Sequence, residues 1–119
     1  MTAAKRARCQ HQPVGAWIRP EKRLAIYLRD GFRCGYCWAD LHGVQPYEIT
    51  LDHLESKSNG GHNDPANLIT ACKSCNSSRQ DRSWKRFATV TAMHRIDRLR
   101  KRPLDVGLGR ALLNGRRAA

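Results

Sequence analysis

An α+β domain pinned by a metal is the fold class this 119-residue chain predicts, on three observations. Two Cys-x2-Cys pairs, Cys34/Cys37 and Cys72/Cys75, have the spacing that lets one turn present two thiolates to a tetrahedral ion. Between the pairs lie two strand-like runs, ITLDH at 49–53 and LITAC at 68–72, joined by a polar loop rich in turn formers. Helical periodicity flanks them, before Cys34 and after Cys75.

Taken in order, residues 1–19 show no period and are expected to form a flexible basic arm, with Cys9 as a free thiol. Pro20 suits a first helical turn, Leu24, Ala25 and Leu28 follow at helical spacing, and Gly31 is a stop, so a helix is predicted at about residues 20–30. FRCGYCW is a compact knuckle, and DLHGVQPYE a loop broken by Gly43 and Pro46. LITAC is expected to pair back with ITLDH. No Gly or Pro interrupts residues 73–101, and Trp84, Phe87, Ala88, Ile96 and Leu99 form an apolar stripe, with a break expected near the β-branched cluster at Thr89–Thr91. Pro103 and the glycines at 107, 109 and 115 are expected to end regular structure, leaving 103–119 as a short tail. Residues 20–102 then make a single domain with a basic helical extension, in keeping with the modest core a chain of this length can bury.

The net charge is +12, with a sequence pI near 10.3. It is uneven: residues 79–119 hold 12 Lys/Arg against 3 Asp/Glu, and residues 1–78 hold 10 against 7. Such an asymmetry points to a partner rich in phosphates. No apolar run approaches the ~18 residues of a membrane span, and the basic start lacks the apolar stretch of a signal peptide. A cytoplasmic location without membrane contact is expected, where paired cysteines bind metal more often than they form disulfides.

The most specific local signal is the C-x2-C, x34, C-x2-C set, expected to be a closed structural Zn²⁺ site. Asp52-His53 falls inside that insert, Asn67 precedes the second strand run, and Asn76 directly follows the last cysteine. Singly, each has a plain structural explanation: a core histidine, a turn-capping acid, two asparagines in local hydrogen bonds. The joint order of D-H, N-L and C-x2-C-N resembles the HNH endonucleases, specifically the four-cysteine zinc branch of the ββα-metal nucleases, over about residues 24–86. Small proteins of this kind are often encoded by phages and mobile elements.

The resemblance implies that His53 is the general base deprotonating a water, that Asp52 and Asn76 are ligands of a catalytic divalent cation, and that the amide of Asn67 fixes the loop holding His53. It further implies hydrolysis of DNA phosphodiesters to 5′-phosphate and 3′-hydroxyl ends; one active site cuts one strand, so a monomer should nick, and contacts to phosphates without base reading predict weak sequence preference. The chemistry suits these residue types. Hydrolysis needs an activated water and a cation that neutralises the phosphate and leaving oxygen, and a neutral imidazole is a suitable base near pH 7. One carboxylate and one amide oxygen form a hard, sparse donor set that favours Mg²⁺ or Mn²⁺. Asn76 stands where the family name has its second His.

Lys57, Arg79, Arg82, Lys85 and Arg86 are expected to contact DNA phosphates, which position a duplex without reading bases. Trp17, Trp38 and Trp84 are expected to pack. The alternative reading is a non-catalytic zinc-knuckle protein that binds nucleic acid. A homodimer and an accessory protein both stay open, as does the task among packaging, restriction, homing and defence. One geometric problem remains, since neighbouring strand residues face opposite ways. The strand is therefore expected to end or bulge at Asp52-His53, so that Asp52 and Asn76 converge on one cation with His53 close by.

Overall fold

Pro20 opens helix α1 (Pro20–Arg29), where a missing N–H costs nothing. Gly31 closes it at φ +70, with the Gly31 and Phe32 amides donating to the Leu28 and Tyr27 carbonyls at 3.1 and 2.8 Å. That is the glycine-capped helix end the sequence predicts. The computed structural model describes residues 18–56 and 62–118. The arm with Cys9 and Trp17, and Lys57 with its loop, lie outside the described residues.

The strands span the expected residues, β1 (Ile49–His53) and β2 (Leu68–Cys72). They pair antiparallel from Ile49↔Cys72 to His53↔Leu68. Two strands cannot stand alone, and this hairpin is covered on both faces. Leu51 and Leu68 pack with Ile18, Ile26 and Tyr27 on the α1 side. Ile69 and Ala71, on the other face, join Tyr36, Trp84, Ile96 and Leu99.

A buried ion pair locks α1 to the hairpin. Arg29 donates to Asp30 at 2.7 Å and to the Pro65 and Leu68 carbonyls at 2.8 and 2.6 Å. The Asp30 Oδ2 accepts from the amide and hydroxyl of Thr70, both at 2.9 Å. Both buried charges are thus met by donors or acceptors, as burial requires.

Helix α2 (Lys73–Arg79) starts directly after β2, with the Cys72 sulfur accepting from the Cys75 amide at 3.3 Å. The uninterrupted helical region expected from residue 73 is broken sooner. Gln80 takes φ 54, ψ −128, and the Arg82 amide donates to the Arg79 carbonyl at 3.1 Å. These angles are those of a type II′ turn, which stops α2 after two turns. The chain resumes as α3 (Trp84–Phe87) and α4 (Val90–Leu99), separated at the anticipated break, where the Thr89 hydroxyl caps Ala92 at 3.1 Å. Of the predicted stripe, Trp84, Ile96 and Leu99 are buried, and Phe87 and Ala88 are partly so.

The C-terminal expectation is corrected. Residues 106–118 form helix α5 (Val106–Ala118), which packs on α1. Gly109 is not a terminator but a point of close approach, since a Cβ there would collide with the Glu21 carbonyl oxygen. Gly109→Val is expected to destabilise the protein by about 1–3 kcal/mol through overpacking at this crossing. Urea denaturation checks it, and an unchanged midpoint would contradict the docking of α5. No helix among the described residues is long and apolar enough to cross a membrane.

Candidate active site

Both cysteine pairs arrive at one point because β2 runs straight into α2 while the first knuckle is tied to β2, with the Gly35 amide donating to the Thr70 carbonyl at 2.8 Å. The sulfurs of Cys34, Cys37, Cys72 and Cys75 all lie within 4.8 Å of one another, with Cys37 and Cys72 at 3.9 Å. Zinc–thiolate bonds of ~2.3 Å in tetrahedral array put sulfurs about 3.8 Å apart, so this cluster fits zinc. Burial pushes the Cys34 and Cys75 thiols up, and four thiolates this close are stable only around a cation. The predicted four-cysteine site and the ββα order of hairpin and helix are both present.

A cleft of about 710 Å³ opens where β1 ends, lined among others by Asp52, His53, Asn76, Arg79 and Arg82. Three of the four residues singled out for catalysis thus border one space. The strand ends at His53 as expected, but no bulge interrupts the register, so Asp52 and His53 keep opposite faces. Asp52 turns toward α2, where Asn76 and Arg79 lie three apart on the helix side facing β1. The Asn76 Nδ2 donates to the Thr50 hydroxyl at 2.9 Å.

Arg79 corrects an expectation. It is not at the DNA surface but 5 % exposed, with every nitrogen engaged. It donates to Asp52 Oδ2 at 2.6 Å and to the carbonyls of His53, Leu54 and Arg82 at 2.8, 2.7 and 2.8 Å. The strand end and the turn after α2 leave carbonyls without ladder partners, and a guanidinium is the side chain able to satisfy several at once. Tyr36, from the first zinc knuckle, donates its hydroxyl to the same Asp52 Oδ2. Burial pushes the Asp52 carboxyl above its ordinary value, and the Tyr36 and Arg79 bonds work against that rise. Burial, with the nearby Asp52 charge, pushes the Tyr36 hydroxyl up as well, so it stays a donor. Both bonds use Oδ2, which leaves Oδ1 of Asp52, and Asn76 donates through Nδ2, which leaves its amide oxygen; both residues line the cleft. That donor set fits a hard divalent cation.

On the other face, His53 Nε2 lies 2.7 Å from the Asn63 Oδ1. An amide oxygen only accepts, so Nε2 is the donor, and in the neutral form of the ring the lone pair lies at Nδ1. Asn63 is 2 % exposed, and Lys22 donates to its carbonyl. In the sequence it is one of several turn formers in the polar loop between the strands. Asn67 does not border the cleft. Its Oδ1 accepts from the Glu55 amide at 2.8 Å, and its Nδ2 donates to the carbonyls of Glu55 and His62 at 3.1 and 2.7 Å. These bonds tie together the two ends of the loop that follows His53. His62 faces Asp64 at 3.1 Å, and His94 is exposed. Arg82, Lys85 and Arg86 are exposed, Arg82 at the cleft rim.

No curated protein and no solved structure matches the chain. One family does, by its model, from the first zinc-knuckle cysteine through the turn after α2, the stretch that builds both the sulfur cluster and the cleft. Residues 34–82 match the model of the HNH endonuclease family, and that match supports a nuclease-type, DNA-cleaving function in general.

Proposed function

We propose that the chain is a divalent-cation-dependent DNA endonuclease that hydrolyses phosphodiester bonds at the cleft where β1 ends, nicking one strand per active site with weak sequence preference. The observation that carries this reading is the shared cleft, with Asp52, His53 and Asn76 around one space inside the matched segment.

His53 Nδ1 takes the proton of the attacking water, while Asn63 holds the opposite ring nitrogen and keeps the imidazole from turning. Asp52 and Asn76 are the residues that would hold Mg²⁺ or Mn²⁺. When bound, that cation supplies charge neutralisation at the phosphate and the leaving oxygen. Arg79 and Tyr36 act through Asp52: they fix Oδ2 and so aim the remaining oxygen. Asn67 braces the loop leaving His53, and Arg82, Lys85 and Arg86 offer charge to flanking phosphates. Residues 20–102 are the unit that performs this chemistry.

Supercoiled plasmid incubated with the protein and Mg²⁺ or Mn²⁺ tests the proposal. Open circles should accumulate, and faster as pH rises, since the Asp52 carboxyl, held above its ordinary value by burial, ionises later than an ordinary aspartate and its affinity for a cation grows as it does. Binding without relaxation at any metal or pH would instead favour a non-catalytic zinc-knuckle protein.

A further inference from the structure

A second cleft, of about 540 Å³, shares no lining residue with the first. It is bordered by the end of α1, the first zinc knuckle and one side of α4, which bring Arg33, Trp38, Arg95, Arg98 and Arg102 together. Two of the arginines are fixed. Arg95 donates to the carbonyls of Gly35 and Tyr36 at 3.0 and 2.9 Å, and its guanidinium lies 4.8 Å from the Trp38 ring centre. Arg33 donates to the Trp38 carbonyl at 2.9 Å and lies 5.3 Å from the same ring. Trp38 itself is 40 % exposed and takes φ 65, an uncommon conformation for a bulky residue. It is not buried in the core but is a platform against which both guanidiniums lie.

Arg98 and Arg102 are exposed, and neither pairs with an acid among the described residues. The acid that lines this cleft is Asp30, whose carboxylate is already taken by Arg29 and Thr70. Four guanidiniums therefore face one space with no spare carboxylate among the described lining residues to balance them. Arginines near the end of α4 gain a little from the helix dipole, but that gain is shared by any exposed cation there and does not explain Arg33 and Arg95 converging from the zinc knuckle and α4 on one indole.

We propose that this second cleft binds the backbone phosphates of duplex DNA flanking the cleaved bond. Guanidiniums match phosphate oxygens in pairs, and two of the four are already oriented, so little side-chain freedom is lost on binding. Arg95 and Arg98, on α4, and Arg102, just after it, lie outside the matched residues 34–82. The inference rests on the nuclease reading for the identity of its ligand.

The test is anisotropy of a labelled duplex of about 30 base pairs, titrated with the full chain at several salt concentrations without added Mg²⁺ or Mn²⁺. Arg98→Ala/Arg102→Ala is compared with Lys101→Ala/Arg110→Ala, which removes the same charge from exposed positions outside the cleft. The cleft variant should bind about tenfold more weakly near 0.1 M salt, and its slope of log affinity against log salt should fall by about 2 relative to wild type. Arg98→Lys/Arg102→Lys should restore most of the slope, and plasmid nicking by the alanine variant should show a raised KM with kcat kept. Equal weakening by the two alanine pairs, or no weakening by either, would overturn the proposal. A changed slope in a protein that never nicks would count against the nuclease reading alone, and normal nicking with an unchanged slope against the second cleft alone.

Discussion

Removing the metal from the Cys34, Cys37, Cys72 and Cys75 cluster is expected to unfold the domain. The four cysteines join the first knuckle to the β2–α2 junction, and Cys34 is itself fully buried in the larger core cluster. Structural zinc sites contribute about 10–16 kcal/mol of apparent binding energy, comparable to or above the roughly 5–15 kcal/mol by which a domain of this size is stable. Without the metal, the sulfurs lose the cation that makes their proximity favourable. The knuckle also carries Tyr36, so its release frees the Asp52 carboxylate from one of its two donors. Thermal melting followed by far-UV circular dichroism checks this. A chelator should abolish the cooperative transition, and added Zn²⁺ should restore it. A midpoint unmoved by chelation would show that the cluster is not a structural metal site.

Much of this fold was legible because its signals are local. Pro20 and Gly31 bracket α1, and the ITLDH and LITAC runs marked both strands to the residue. The Cys-x2-Cys spacing, a feature of single turns, located the metal cluster without knowing how the turns come together. What sequence could not reveal was set by contacts between distant elements. Gly109 reads as a breaker, since glycine weakens isolated helices. Its reason for being there is the backbone of Glu21 across the crossing.

Arg79 failed as a surface residue for a similar reason. A cation near a short helix end ordinarily points to solvent, and only the position of the β1 end shows that three acceptors await it there, beside the Arg82 carbonyl of its own turn. The pairing of Asp30 with Arg29 and Thr70 left no periodic signal at all. At the site, Asp52, His53 and Asn76 were found from their order in the chain. Their partners Tyr36, Asn63 and Arg79 are second contacts, chosen by shape rather than by motif.

Replacing His53 by alanine carries the largest expected effect on activity. His53 borders the cleft on the face opposite to Asp52, and its ring is oriented by a buried asparagine, an arrangement suited to accepting a proton at Nδ1. A positioned general base contributes about 10²- to 10⁴-fold. The substitution leaves Asp52, Asn76 and the four cysteines untouched, and His53 is only partly buried, so the variant should keep its metal-dependent melting transition. That separates lost chemistry from lost folding. The decisive measurement is the initial rate of supercoiled-plasmid nicking in Mg²⁺ or Mn²⁺ by the wild type and by His53→Ala, with both shown to be folded. The wild type should nick at least about 100-fold faster. Equal rates, or no nicking by the wild type, would contradict the assignment of this cleft as a nuclease site with His53 as its base.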